Sequence, residues 1–332
     1  MLYVTTRNKH DAYTAHRTLL ADRAPDGGLY LPFRMVTLDR QQVLALADKS
    51  FGQCVAETLN RFFACQLTGW DVEFCIGRYP IKTMDISHRI VVAQTWHNQA
   101  WDYAWAERAL AQKLCADMVC QQPSAWMRIA IRVAFLTGIF SELIRQGIAD
   151  PDHPMDVAVP AGDFSIPMSV WYARHMGLPV ANIICGCEDD SAAWDLLHLG
   201  TVKIDGNMPA HLEQLVCETL GHGEARRYSE VCCNGGVYSL LPVDAEKLRG
   251  GMFAAVISKD RICSVISSVN RTSGYILGPK AALGYGGLLD FRAMTGENRP
   301  ALLMAERSPV CDGDLVAGVM GITTAELKER MQ

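Results

Sequence analysis

The sequence predicts an α/β fold, a parallel sheet covered on both sides by helices. Three observations carry that prediction. The runs MDVAVP (155–160), VANIICG (180–186) and PALLMA (300–305) are short and almost wholly apolar, as strands buried on both faces are. Segments of helical period lie between and around them, the alternation that builds a parallel sheet. The chain has 332 residues, 49% hydrophobic and 20% charged. That is enough for one large domain or two closely packed ones with an ample core.

In chain order, residues 39–68 read as helical, with one stripe through Val43, Leu44 and Ala47 and another through Val55, Leu59, Phe62 and Phe63. RIVVAQ (89–94) reads as a strand. Helical patterns follow at 100–120 and 124–146. After the strand at 155–160, AGDFSIP reads as a turn and MSVWYARHM as a helix stopped by Gly177, with Pro179 beyond it. SAAWDLLHLG follows the next strand as a helix. Residues 258–271, 279–293 and 323–331 complete the helical patterns.

Net charge is −5 and the pI is near 6.0, with no block of Lys or Arg. Nucleic acid and an anionic membrane surface are therefore poor partners. The start lacks the charged-then-apolar order of a signal peptide. The most apolar stretch, IAIRVAFLTGIF, is too short to span a bilayer and contains Arg132. A soluble, cytoplasmic protein is expected. Twelve cysteines in such a chain read as buried thiols rather than disulfides. None has the paired C-x-x-C spacing of a structural zinc site, so no metal is expected. Cys185 and Cys187 lie at a strand end, where a reactive thiol is the alternative to two buried ones.

Ligands of open α/β sheets sit at the carboxyl ends of strands. That rule selects Thr95–Ala104, Ala161–Ser165, Cys185–Asp190 and Ala305–Ser308.

Three groups of segments resemble threonine synthase, a pyridoxal-phosphate enzyme of fold type II. YVTTR (Tyr3–Arg7) and APDGGLYLP (Ala24–Pro32) resemble that family's Y-x-S-T-R and A-x-D-G-G-L-Y-V-P. VPAGDFSIPMSVWYARHMGLPV (Val159–Val180) resembles V-P-T-G-N-F-G followed by a helix ending in K-x-M-G-L-P. TSGYILGPKAALGY (Thr272–Tyr285) resembles T-G-Y-x-x-D-P-H-T-A-V-G. The resemblance implies a fold like the tryptophan synthase β subunit. It divides the chain into an amino-terminal segment (1–85), a remnant of the small cofactor domain (86–122) and a large α/β domain (123–332).

The resemblance also implies four functional groups, and the sequence departs at each. The family's lysine, in F-H-G-P-T-x-x-F-K-D, falls on Ala104 when Trp96-His97 is set on Phe-His; Asn98 then follows the histidine. Without an amine there is no internal aldimine. The substrate-carboxylate loop, S-G-D-T-G, has no counterpart: CADMVCQQP is all that lies between Leu114 and Ser124. The phosphate cradle G-N-F-G becomes Gly162-Asp163-Phe164-Ser165. A carboxylate at about 4 Å from a phosphate, at an effective dielectric of about 20, repels it by roughly 4 kcal/mol per unit charge. Asp163 or Ser165 is expected to cap the helix instead. At the place of the threonine beside the pyridine nitrogen stands Glu306, expected exposed or salt-bridged.

The expectation is a shortened threonine-synthase-like protein that has lost pyridoxal phosphate and threonine synthase activity. It would act in assembly, as a homodimer or with a partner protein, or bind a small molecule in the residual cleft. The alternatives are an enzyme of altered chemistry using Lys280, His97 or a cysteine, and a divergent threonine synthase. Trp101 and Trp105, four apart on one helix face, are expected with Trp96 to fill the space a cofactor would take.

Overall fold

The structure is a computed structural model, and it describes residues 1–77, 82–87, 89–98, 101–115, 122–189, 191–204 and 208–331. The chain opens with β1 (Leu2–Thr5), β2 (Tyr13–Thr14), α1 (Ala15–Leu20) and β3 (Tyr30–Pro32), followed by helices α2 (Arg40–Leu44), α3 (Phe51–Phe63) and α4 (Gly69–Ile76). Next come β4 (Lys82–Ser87), β5 (Ile90–Gln94), α5 (Tyr103–Cys115) and α6 (Ala125–Arg145). The alternating part is β6 (Met155–Pro160), α7 (Ser165–Met176), β7 (Val180–Cys187), α8 (Ala192–Trp194) and β8 (Thr201–Ile204). Then follow α9 (Ala210–Leu220), α10 (His222–Asn234), β9 (Gly236–Ser239), α11 (Pro242–Arg249) and β10 (Met252–Val256). The chain closes with α12 (Lys259–Ser273), α13 (Pro279–Thr295), β11 (Ala301–Ala305), α14 (Gly313–Met320) and α15 (Thr324–Arg330).

Six strands form the central sheet in the order β10-β7-β6-β11-β5-β4. Five run parallel; β4 joins the edge antiparallel to β5. The sheet is thus mixed rather than wholly parallel, and Lys82, Thr83 and Asp85 give its edge strand the polar character such positions carry. Side chains alternate between two cores, as the period of two requires. Met155, Val157 and Val159 face one core with α3, α6 and α7; Ala158, Ile184 and Leu303 face the other with α12 and α13.

Two glycine-bearing elements set the height of α13 over the sheet. A Cβ at Gly186 would lie 2.1 Å from the Leu283 carbonyl oxygen, and one at Gly284 would press on the Val159 backbone. The bare backbones let α13 lie close on β6 and β7, and this carries its first turn to the strand ends. Residues 39–68 form two helices joined by a 3₁₀ turn rather than one. Ser50 breaks the run: its hydroxyl accepts the Gln53 N–H while Gln53 returns a bond to the Ser50 N–H, a capping box that starts α3. Among the described residues no helix is long and apolar enough to cross a membrane.

Candidate functional site

All four selected strand ends open into one cleft of about 1340 Å³. Its lining comes from the first turn of α5, the β6–α7 turn, the segment after β7, the start of α13 and the end of β11. Of the residues singled out in the sequence, Ala104, Gly162, Asp163, Ser165, Lys280 and Glu306 line it. His97, Asn98 and Phe164 do not. His97 and Asn98 are exposed and build the turn before α5: the Asn98 Oδ1 accepts the Trp101 N–H at 2.9 Å, and the His97 N–H donates to the Trp101 carbonyl at 2.9 Å. The His97 ring meets the Trp101 ring edge-on, and burial followed by the charge of Lys82 lowers its pKa. Phe164 sits at φ +67° ahead of α7 with its ring wholly buried, so it shapes the turn from beneath.

The tryptophans do not fill the cleft. Trp96 is buried elsewhere, and Trp101 and Trp105 are half-buried against the core, their ring centroids 5.2 Å apart with the planes tilted by 39°. Helix geometry gives the reason. Ala104 and Glu107, three apart, share the cleft face of α5, while Trp105 is turned about 100° from Ala104.

At the β6–α7 turn, Gly162 adopts φ +47°, a conformation glycine takes at little cost. A Cβ there would meet nothing within 4 Å. The Asp163 Oδ1 accepts the Ser165 N–H at 3.0 Å and the Ser165 hydroxyl at 2.6 Å. The N-cap of α7 is Phe164, which gives no side-chain bond, so neither Asp163 nor Ser165 is the cap expected from the sequence; Asp163, one residue earlier, holds only the N–H and hydroxyl of Ser165. Burial raises the Asp163 pKa, but the two Ser165 bonds, aided by His211 and Arg132, outweigh it and hold the group below its ordinary value. Asp163→Asn is expected to cost only about 1 kcal/mol, because an amide oxygen still accepts the Ser165 bonds; thermal melts check this.

One part of the site was not anticipated. Arg132, in the middle of α6, is buried and forks onto Glu306: Nε to Oε1 at 2.8 Å and Nη2 to Oε2 at 3.3 Å. Its Nη2 also lies 3.9 Å from Glu107 Oε1, which accepts the Tyr103 hydroxyl at 3.1 Å. The guanidinium stacks 4.4 Å from the Tyr103 ring centroid. Burial raises the Glu107 pKa, opposed by Arg132. The signal was present in the sequence: a single arginine inside IAIRVAF must find buried partners. Glu306 is thus salt-bridged, one of its two expected states.

The cleft lining carries eight acidic side chains against four basic ones, Arg132, Lys203, Lys280 and Arg307. Cys185 and Cys187 are fully buried, and burial drives both thiols up, Cys187 to about 11. They are inert core groups at neutral pH. Among the described residues no cluster of three or more His, Cys, Asp and Glu could hold a metal ion.

A family model described as the threonine synthase N terminus matches residues 2–78. Its amino-terminal part is similar to that of threonine synthases. "Threonine synthase-like 1" of Macaca fascicularis and of Homo sapiens are each 25% identical over 182 residues, 48% of this chain. The match spans 23% of those relatives, so the chain covers under a quarter of their length. A pyridoxal-phosphate-bound threonine synthase from Brucella melitensis superposes with a TM-score of 0.80 at 17% identity, over 100% of this chain and 94% of that one. The yeast threonine synthase gives 0.79 at 12%, over 99% and 93%. The fold is that of the type II pyridoxal-phosphate enzymes, threonine synthase among them.

Proposed function

We propose that this chain is a threonine synthase relative that does not hold pyridoxal phosphate and does not make threonine, and that it binds a small metabolite in its open cleft. The observation that carries the reading is the Asp163 carboxylate bonded to Ser165 at the amino end of α7. Free N–H groups and the positive end of a helix dipole suit a phosphate. Here the first of those groups, the Ser165 N–H, already serves a carboxylate of the same sign. Ala104, at the position the resemblance gives to the lysine, offers the cleft a methyl group. The excess of acidic side chains adds repulsion toward a phosphate dianion. The residues present do not fit the cofactor. The size of the cleft supports a metabolite over a purely surface role in assembly.

Back-substitution tests this. A variant combining Ala104→Lys, Asp163→Gly and Ser165→Gly restores an amine and an uncharged turn. Its pyridoxal-phosphate affinity, read by equilibrium dialysis, is expected to exceed that of the unaltered chain at least tenfold. Equal affinities would count against the reading.

A second reading, altered chemistry in the same cleft, is favoured by one observation: the exposed Lys280 in the first turn of α13 faces the cleft that also holds the Arg132–Glu306 pair. Lys280→Ala, compared with the unaltered chain across amino-acid-like substrates, distinguishes the two.

A further inference from the structure

The stretch CCNGGV (232–237) holds the only asparagine of the chain that glycine follows, Asn234. The pair sits at a junction. α10 closes at Asn234, Gly235 alone links it to β9, and β9 begins at Gly236. Asn234, Gly235 and Gly236 are all exposed. Gly235 and Gly236 take φ +73° and +127°, a backbone that suits glycine. A Cβ at Gly235 would meet nothing within 4 Å, so the link stands clear of its neighbours on that side.

Neither the Gly235 nitrogen nor the Asn234 side chain is held. Gly177, Gly274 and Gly296 each end a helix with an N–H bonded back into its last turn. Among the described residues the Gly235 N–H makes no such bond, and the Asn234 amide makes no hydrogen bond to the protein. Helix ends fray, and with no bond at Gly235 to fix the last peptide, its nitrogen can turn onto the Asn234 side-chain carbonyl. Asp26-Gly27, a pair open to the same ring closure, is held instead. Its carboxylate accepts the Thr5 hydroxyl at 2.5 Å and the Gly28 N–H at 2.9 Å, and the Gly27 N–H donates to the Ala24 carbonyl at 2.8 Å.

We propose that Asn234 is a modification site, deamidated in the folded protein with water as the only co-reactant. The Gly235 nitrogen, its proton taken by hydroxide, attacks Asn234 Cγ. The N–Cγ bond forms, the Cγ–Nδ2 bond breaks, and Nδ2 takes a proton from water and leaves as ammonia. The succinimide then adds one water. Opening at Cγ gives aspartate. Opening at the main-chain carbonyl gives isoaspartate, in which the chain runs through the former side chain and is one methylene longer. Either product places a carboxylate at the negative end of α10, four residues from Glu230, where the helix dipole and a like charge both oppose it. The added methylene lies directly before Gly236, which pairs with Ile204 at the end of the β8–β9 ladder. Isoaspartate therefore loosens this two-stranded sheet, whose Lys203 lines the cleft.

The test is incubation of the full folded chain at mildly alkaline pH, followed by mass mapping of the Tyr228–Lys247 peptide. Asn234 should trade an NH for an oxygen about tenfold faster than any other asparagine, because only glycine leaves the attacking nitrogen unshielded. Isoaspartate should exceed aspartate, and the rate should rise with pH as the deprotonated nitrogen does. Asn234→Gln should block the reaction. The chain unfolded in guanidinium gives the unprotected rate, and the folded rate should lie within about tenfold of it. The isoaspartyl form, isolated by ion exchange, should exchange the amide hydrogens of 236–239 faster than Asn234→Asp, which adds the charge without the methylene. A slower folded rate, equal conversion at another asparagine, or exchange no faster than in Asn234→Asp overturns the proposal.

Discussion

Arg132→Ala is expected to destabilise the fold by about 3–5 kcal/mol, read as a shift of the urea midpoint. The guanidinium is the shared partner of Glu306 and Glu107, at 2.8 and 3.9 Å, and its side chain is only 8% exposed. Alanine would leave two carboxylates facing each other in the floor of the cleft and strip Tyr103 of the cation over its ring. The loss should depend on pH in a defined direction. Burial already raises the folded-state pKa of Glu107. A carboxyl so raised contributes stability that is full below its unfolded value, near 4.3, and is lost as pH rises through the folded value. Removing Arg132 removes the charge that opposes that rise. The deficit of the variant should therefore be smaller near pH 5 than near pH 8. A deficit independent of pH would show that packing, not charge, is what Arg132 supplies.

Trp126→Ala is expected to cost about 3–5 kcal/mol as well. Trp126 begins α6 and is 1% exposed. Its ring takes edge contacts from Tyr3 at 5.5 Å, Phe62 at 5.5 Å and Tyr172 at 5.3 Å, so it joins β1, α3 and α7. Its Nε1–H donates to the Tyr3 hydroxyl at 3.1 Å, and that hydroxyl donates to the Phe62 carbonyl at 2.6 Å. Truncation opens a cavity and removes a donor from a buried hydroxyl. Trp126→Phe keeps most of the volume and should cost about 1–3 kcal/mol, chiefly the unmade bond. Limited proteolysis should then cut the amino-terminal segment first in the alanine variant, because Tyr3 is its anchor.

The central strands were legible because burial on both faces leaves no room for polar alternation. β5, β6, β7 and β11 stand where their apolar runs placed them. β1, β2 and β3 are two to four residues long, too short for a period to show. β4, β8 and β9 carry polar side chains on open faces or edges, and α9, α10, α11 and α14 lie in stretches whose patterns did not announce themselves. The boundary at Ser50 was written in the sequence, since Ser50 and Gln53 stand three apart as a capping box requires.

For the site, strand polarity sufficed to gather the four strand ends into one cleft, because every strand before those ends runs the same way. What strand polarity could not supply was rotation about the α5 axis. That rotation decides that Ala104 and Glu107 face the cleft and that Trp105 packs against the core; Trp101 lies in the turn before α5 rather than on one helix face with Trp105. The Arg132 network was missed for another reason. Its members lie at positions 103, 107, 132 and 306, on three elements that only the tertiary fold brings together.

The most direct test of the central claim is a pyridoxal-phosphate titration of the unaltered full chain, followed by borohydride reduction and peptide mass mapping. The account predicts no saturable visible imine band and no pyridoxyl-lysine peptide above the level given by scattered surface lysines. A stoichiometric, saturable adduct on one lysine of the cleft, Lys280 or Lys203, would contradict it.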